Sequence, residues 1–273
     1  MSTASLDDTI FNIKRPRLVG YRRLISFLDQ LEGIHKMPAR DRMPAMLLVA
    51  DPGNGKTTAV TEHASNHKPD LGLAEDAATY PVILVRAPAS TSEMTFYEKI
   101  LHVLNAPPAS KHRVDLVARQ VYNLLITVKT RILIIDEFHD ILKGPLKKQS
   151  YFLTVIKELH NELPISIVAT GTREAYQALK SDRALESRFR PFELPNWQFD
   201  EELIALLQSF KDTWSLEFDP EALAPRILAI AGNTIGEISY LLECAAVACA
   251  TEGHHKVTSR LLQNCGYVRR LDT

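Results

Sequence analysis

The sequence predicts an α/β fold: a parallel five-stranded sheet flanked by helices, with a small C-terminal all-helical domain after it. Three observations carry the prediction. The strand-like segments are near-continuous apolar runs rather than alternating ones, the texture of parallel strands buried on both faces. They alternate with helical segments as far as Pro195. Past that residue the strand pattern stops and only helical runs remain, which marks a second domain.

The elements follow in order. A polar start leads into the basic KRPRLVGYRR (14–23) and the amphipathic LISFLDQLEGI (24–34), then a linker holding Pro38 and Pro44. MLLVA (46–50) is the first strand and KTTAVTEHASNH (56–67) its helix, with a loop from 69 to 78. PVILVRA (81–87) is the second strand, followed by the helical MTFYEKILHVL (94–104). NAPPASKHR interrupts the pattern before the helix DLVARQVYNLLITVK (115–129) and the third strand RILIID (131–136). FLTVIKELHNEL (152–163) is helical, ISIVAT (165–170) the fourth strand, TREAYQALKSD (172–182) helical and RPFELP (190–195) a short fifth strand. EELIALLQSF, PEALAPRILAIAG, GEISYLLECAAVACA and VTSRLLQN are the helices of the last part. The expected division is an N-terminal extension at 1–40, the α/β domain at 41–196 and the helical domain at 197–273.

Composition narrows the class without deciding it. The chain has 273 residues, 45% hydrophobic, with 32 basic against 33 acidic side chains and a net charge of −1. So near-neutral a molecule is not basic all over, although local basic patches remain open to it. Cys244, Cys249 and Cys265 form no paired spacing of the kind that binds metal, and reduced thiols are expected. MSTASLDDTIFNIKRPR carries no apolar signal core, and no stretch is long enough to span a bilayer. A soluble, cytoplasmic protein with no membrane partner is the expectation.

Chemistry concentrates first in LVADPGNGKTT (48–58). Gly-Lys-Thr between an apolar strand and a helix fits the phosphate-binding loop G-x-x-x-x-G-K-[ST], with Ala50 where the first glycine usually stands. Successive backbone N–H groups of Gly53, Asn54, Gly55 and the residues after them would hold a β-phosphate at the helix N-terminus. Lys56 would reach the β- and γ-phosphates, Thr57 would offer its hydroxyl to Mg²⁺, and Thr58 completes the loop. Alanine is a handicap only where φ must be positive, and Gly53 and Gly55 still supply two permissive positions. The bland alternative, a turn that merely caps a helix, leaves Gly-Lys-Thr without a packing reason.

The loop's partner lies eighty residues downstream of Lys56, where ILIID ends in Asp136 and Glu137 follows. A carboxylate at that strand tip suits the Mg²⁺ shell, and its neighbour suits the polarising of an attacking water. Two acids in this place point to hydrolysis of a nucleoside triphosphate. His139 in DEFHD reads as a packing or helix-terminus residue.

An AAA+ ATPase, a P-loop NTPase with a helical lid, needs two further groups. A polar residue at the end of the fourth strand would help place the water, and both Thr170 and Thr172 are available. An arginine before the fifth strand would reach the γ-phosphate bound to a neighbouring subunit, a role for Arg188 with Arg183 and Arg190 as competitors. The lid arginine of many such proteins, in G-x-x-R, is replaced here by Ile235 in GNTIGE. A slow or partner-dependent ATPase is therefore expected.

Taken together, DRMPAMLLVADPGNGKT, ILIIDEFHDIL, IKELHNELPISIVATGTREAYQAL, SRFRPFELPNW and GNTIGEISYLLECAA resemble the TniB family of AAA+ transposition proteins, related to TnsC. The resemblance runs from about Arg17 onward. It implies ATP and Mg²⁺ as cofactors, assembly on double-stranded DNA as a ring or helical filament, and a TniA-like DDE transposase as the partner to be recruited and stimulated. ATP hydrolysis would disassemble the oligomer, and a TniQ-like protein would contribute to target choice. It further implies a bacterial, DNA-associated protein whose DNA contacts lie on loops facing the oligomer's bore. Lys111 and Arg113 in PPASKHR, and Lys143, Lys147 and Lys148 in LKGPLKKQS, are the candidates. Such contacts would fall on phosphates, without base specificity and sensitive to salt. Two other readings compete: a helicase loader similar to DnaC or IstB, and a nucleotide-dependent scaffold that hardly hydrolyses.

Overall fold

The computed structural model describes residues 3–269 except 16, 73–77, 215 and 255. Pro16 of the KRPR segment, and the middle of the loop expected at 69–78, therefore lie outside the described residues. β1 (Ala45–Ala50), β2 (Val82–Arg86), β3 (Ile132–Asp136), β4 (Ser166–Gly171) and β5 (Phe189–Leu194) form one parallel sheet in the order β2-β3-β4-β1-β5. Every residue of β1, β3 and β4 is buried, which is why those strands read as unbroken apolar runs. β5, at the edge, has three of its six residues exposed and tolerates Pro191.

The chain packs as two compact units. One comprises Phe27–Ala50 and Lys56–Leu194, and the other gathers Met1–Ser26, Asp51–Gly55 and Pro195–Thr273. In the sheet unit α3 (Lys56–Asn66) packs on β1, β2 and β4, while α4 (Glu93–Val103) packs on β2 and on α5 (Val114–Thr127). The core there is built from Leu47, Ile83, Phe96, Ile100, Leu133, Ile135, Phe138 and Phe152, none more than 1% exposed. α2 (Arg22–Lys36) adds Phe27 and Leu31 at helical spacing, both fully buried, with Phe27 tilted against Phe192 at 5.3 Å.

The helical unit has a core of its own. α9 (Glu201–Trp214), α10 (Pro220–Ala231), α11 (Ile235–Glu252) and α12 (Ser259–Asn264) close around Leu203, Leu207, Phe210, Ile227, Ile238 and Leu242. Trp197 belongs to this core: its amide donates to the Asn233 carbonyl at 2.8 Å, and Tyr21 meets its ring edge-on at 5.0 Å. α10 starts on Asp219, whose carboxylate accepts from the amides of Glu221 and Ala222, with Pro220 at the first helical position. Cys244, Cys249 and Cys265 are free thiols. Among the described residues no single helix is long and apolar enough to cross a membrane.

Three elements differ from the sequence expectation. The polar start forms α1 (Thr3–Lys14), which packs along α11. Its apolar positions are too few for a local signal, so that helix depends on a long-range partner. DEFHDIL turns into a 3₁₀ helix, Phe138–Lys143. α6 (Leu146–Glu162) begins six residues before the expected 152. Its first turn, LKKQS, has no apolar periodicity because it is solvent-facing, and it is held instead by Gln149, whose amide nitrogen donates to the carbonyls of Leu142 (3.0 Å) and Gly144 (2.7 Å).

Candidate nucleotide and metal site

Asp51–Gly55 continues β1 into a tight turn. Ala50 is the last residue of the strand and is not among the residues with positive φ, so alanine carries no strain there. The left-handed positions are Gly53 (φ 77°) and Gly55 (φ 81°). The turn is closed by the Asn54 amide on the Asp51 carbonyl at 3.2 Å.

Asn54, almost fully buried, organises the turn through its side chain. Its Nδ2 donates to Asn196 Oδ1 at 2.6 Å, and Asn196 Nδ2 donates to Asp51 Oδ2 at 2.6 Å. Two amides at the start of α11 donate back to the turn: Ile235 N to Asn54 Oδ1 at 3.1 Å and Gly236 N to the Gly53 carbonyl at 2.9 Å. A Cβ on residue 236 would stand 2.9 Å from that carbonyl oxygen, so the approach requires glycine. The helix thus presents its own first N–H groups to the turn. They would otherwise lack partners.

α3 starts at Lys56, which is buried and donates from Nζ to the Ala50 carbonyl at 2.7 Å. Within the sheet unit, Thr57 Oγ1 donates to Asp136 Oδ2 at 2.8 Å, and Thr170 Oγ1 donates to Asp136 Oδ1. The Glu137 amide donates to the same Oδ1 at 2.9 Å. The register explains the meeting. β4 lies between β1 and β3, so Thr170, paired with Leu48, sits at the C-terminal edge of the sheet beside Asp136. Thr172 is past the strand, and its hydroxyl goes to Glu174.

Glu137 has left-handed backbone (φ 54°, ψ 41°), a strained state for a residue with a side chain. Its carboxylate faces His139 Nε2 at 3.3 Å. His139 Nδ1 accepts from the Thr172 amide at 3.4 Å, so the ring proton sits on Nε2 and points at Glu137. The sequence reading gave His139 only a packing or helix-terminus role and gave Asn196 none. The signals were present, DEFHD for one and LPNW for the other, but neither has a fixed chemical meaning without a contact.

The other expected residues are placed as follows. Arg188, between α8 (Arg183–Glu186) and β5, donates to Asn161 Oδ1 and meets His160 Nδ1 at 3.3 Å, at the C-terminal end of α6. Arg183 and Arg190 are exposed. Lys111 and Arg113 are exposed before α5, with Arg113 forked onto Asp115 at 2.5 Å. Lys143 is paired with the buried Asp140 at 2.6 Å. Burial works against the Asp140 charge, yet the Lys143 hydrogen bond and charge hold its pKa below the usual carboxylate range. Lys147 and Lys148, expected on a loop, lie instead in the first turn of α6.

In chemical terms Thr57 and Asp136 offer a hydroxyl and a carboxylate 2.8 Å apart at a sheet edge, hard oxygen donors that fit Mg²⁺.

The family model described as "Bacterial TniB protein" matches residues 9–199. No match was found among curated proteins. Among solved structures, the ORC2 protein of Aeropyrum pernix is similar at a TM-score of 0.65 and 14% identity, over 93% of this chain and 70% of that one. The Aeropyrum pernix ORC1 protein, solved in complex with DNA, has a TM-score of 0.62 and 17% identity, over 94% and 68%. The RuvB Holliday junction branch migration motor of Thermotoga maritima has a TM-score of 0.57 and 16% identity, over 93% and 72%. At such identities the likeness establishes the fold, that of AAA+ P-loop NTPases.

Proposed function

Because the chain belongs to the TniB family, we propose that it is an ATP-dependent regulator of DNA transposition, which assembles on duplex DNA as a ring or helical filament and recruits and stimulates a DDE-type transposase. The reading rests most on one observation: the hydroxyls of Thr57 and Thr170 meet on the Asp136 carboxylate, with Glu137 next in the chain. Residues 41–196 are the nucleotide domain in this reading, 197–273 the lid and 1–40 an N-terminal extension.

The roles follow from the donors and acceptors. The amides from Gly53 to Thr58 cradle the phosphates, and Lys56 exchanges the Ala50 carbonyl for phosphate oxygens. Thr57 and Asp136 hold Mg²⁺, which when bound neutralises charge building on the phosphate oxygens. Thr170 fixes the carboxylate's orientation. Glu137, released from His139, would accept a proton from water as the water oxygen bonds to the γ-phosphorus and the bond to the bridging oxygen breaks, with ADP as the leaving group. Arg188 serves the γ-phosphate of the adjacent copy. Hydrolysis then loosens the assembly.

DNA contacts are assigned to Lys111, Arg113, Lys143, Lys147 and Lys148, all on phosphates. Lys147 and Lys148 carry the best support. A helix's first turn disfavours cations, and no acidic side chain in that turn offsets them.

The test is steady-state phosphate release by the full chain with Mg²⁺ and ATP, with and without duplex, together with strand transfer by a cognate DDE transposase. DNA-stimulated release above a Glu137→Gln baseline, and stimulated strand transfer, are expected; loading of a replicative helicase instead would overturn the assignment. Two observations favour a second reading, an ATP-gated scaffold: Ile235 stands where a lid arginine would be, and Glu137 is tied to His139. ATP-dependent assembly with release no greater than the Glu137→Gln baseline would select it.

A further inference from the structure

The helices on either side of β1 bring three imidazoles together in the sheet unit. His35 stands near the C-terminal end of α2, His63 in the last turn of α3, and His67 just past that helix. One ring nitrogen from each lies within 4.8 Å of the other two. The His63 and His67 rings lie 4.6 Å apart between centroids.

Hydrogen bonding leaves this cluster incomplete. His63 is 3% exposed, and its Nε2 is buried with no partner; His35 Nδ1 is buried and unpartnered as well. Buried polar nitrogens are nearly always satisfied, so two unsatisfied ones in a single cluster call for a missing partner. The third ring is already oriented. Glu32, one turn before His35, accepts from His67 Nε2 at 2.7 Å and is itself paired with Lys36 at 2.9 Å. With its proton on Nε2, His67 keeps a lone pair on Nδ1, the arrangement by which a carboxylate orients a histidine ligand.

The geometry points to a zinc-type divalent transition-metal site held by His35, His63 and His67, with Glu32 orienting His67. Three imidazoles and an open fourth position for water suit such an ion, whereas Mg²⁺ prefers oxygen donors, so the site is distinct from the one at Thr57 and Asp136. Burial, with the neighbouring imidazoles, pushes His63 down to about 4, and burial lowers His35 too, so both rings are neutral and able to ligate near pH 7. Zinc–nitrogen bonds of about 2.0–2.1 Å set tetrahedral donors roughly 3.4 Å apart, so the rings close inward on binding. The His35–His67 pair, now stacked at 3.9 Å and 25°, turns apart. His67, 18% exposed at its side chain, opens the way in. The ion clips α2 to the far end of α3, the helix whose first residues are Lys56 and Thr57.

The experiment uses the full chain, stripped with a chelator and free of nucleotide. Cobalt(II) titration should give the visible bands of a tetrahedral nitrogen site at one ion per chain. Zn²⁺ should displace them, excess Mg²⁺ should not, and Zn²⁺ should raise the Tm. Glu32→Gln and His67→Gln, both at partly exposed positions, should each weaken cobalt affinity by about 10–100-fold while circular dichroism stays native. Absence of the bands and of a Zn²⁺-dependent Tm shift would overturn the site, as would His67→Gln binding cobalt as tightly as the parent chain. His63→Ala is the most direct variant; should it misfold, His35→Gln and His67→Gln carry the decision.

Discussion

Asp136 accepts from two hydroxyls and one amide, all neutral donors, so these three hydrogen bonds leave its charge available to a cation. This makes the carboxylate a ready oxygen ligand, and it sets the predictions for its neighbours. Lys56→Ala should abolish nucleotide binding and DNA-dependent assembly together; calorimetry with Mg²⁺ and ATP that still detects binding would refute the lysine's role. Glu137→Gln should bind nucleotide normally, slow phosphate release about a hundredfold or more, and prolong the life of assemblies. Negative-stain microscopy over time measures that lifetime, and faster disassembly would count against the base. If Arg188 serves a neighbour's phosphate, as proposed, Arg188→Ala should leave monomer nucleotide affinity unchanged and lower hydrolysis by about 10³-fold. An unaltered rate would move the role to Arg183 or Arg190.

At the scale of elements, the start of α11 reaches the phosphate-loop turn through backbone rather than through a long side chain. Ile235 and Gly236 donate from their main chain to Asn54 Oδ1 and to the Gly53 carbonyl. Gly236→Ala forces its Cβ to 2.9 Å from the Gly53 oxygen, a backbone atom that cannot swing aside. The substitution should destabilise the chain by about 1–3 kcal/mol and weaken nucleotide binding. Thermal melting and calorimetry read the two effects, and an unchanged Tm would show that the close approach is dispensable. Strands were the most legible elements in the sequence, because burial on both faces writes itself as an apolar run. α1 and the first turn of α6 were not legible: one leans on α11 across more than two hundred residues of chain, and the other faces solvent.

For the whole molecule, two separate cores mean that the sheet unit and the helical unit each bury enough apolar surface to fold around their own centre. If Lys147 and Lys148 meet phosphates, replacing both with alanine should weaken DNA-dependent assembly equally on any sequence. The slope of log affinity against log salt should become shallower by roughly 2 per participating copy. A sequence-dependent loss, or an unchanged slope, would exclude them.

By itself the sequence determined the parallel sheet, the phosphate-binding turn with its Lys56 and Thr57, and the acidic strand tip at Asp136 and Glu137. Each of these is encoded locally, in the period of apolar residues or in a motif a few residues long. Only the tertiary structure chose Thr170 over Thr172 as the partner of Asp136, gave Asn196 to the turn and His139 to Glu137, and gathered His35, His63 and His67. These choices depend on which strand lies beside which and on how helices dock. Such pairings come from packing between distant segments, and spacing along the chain does not carry them.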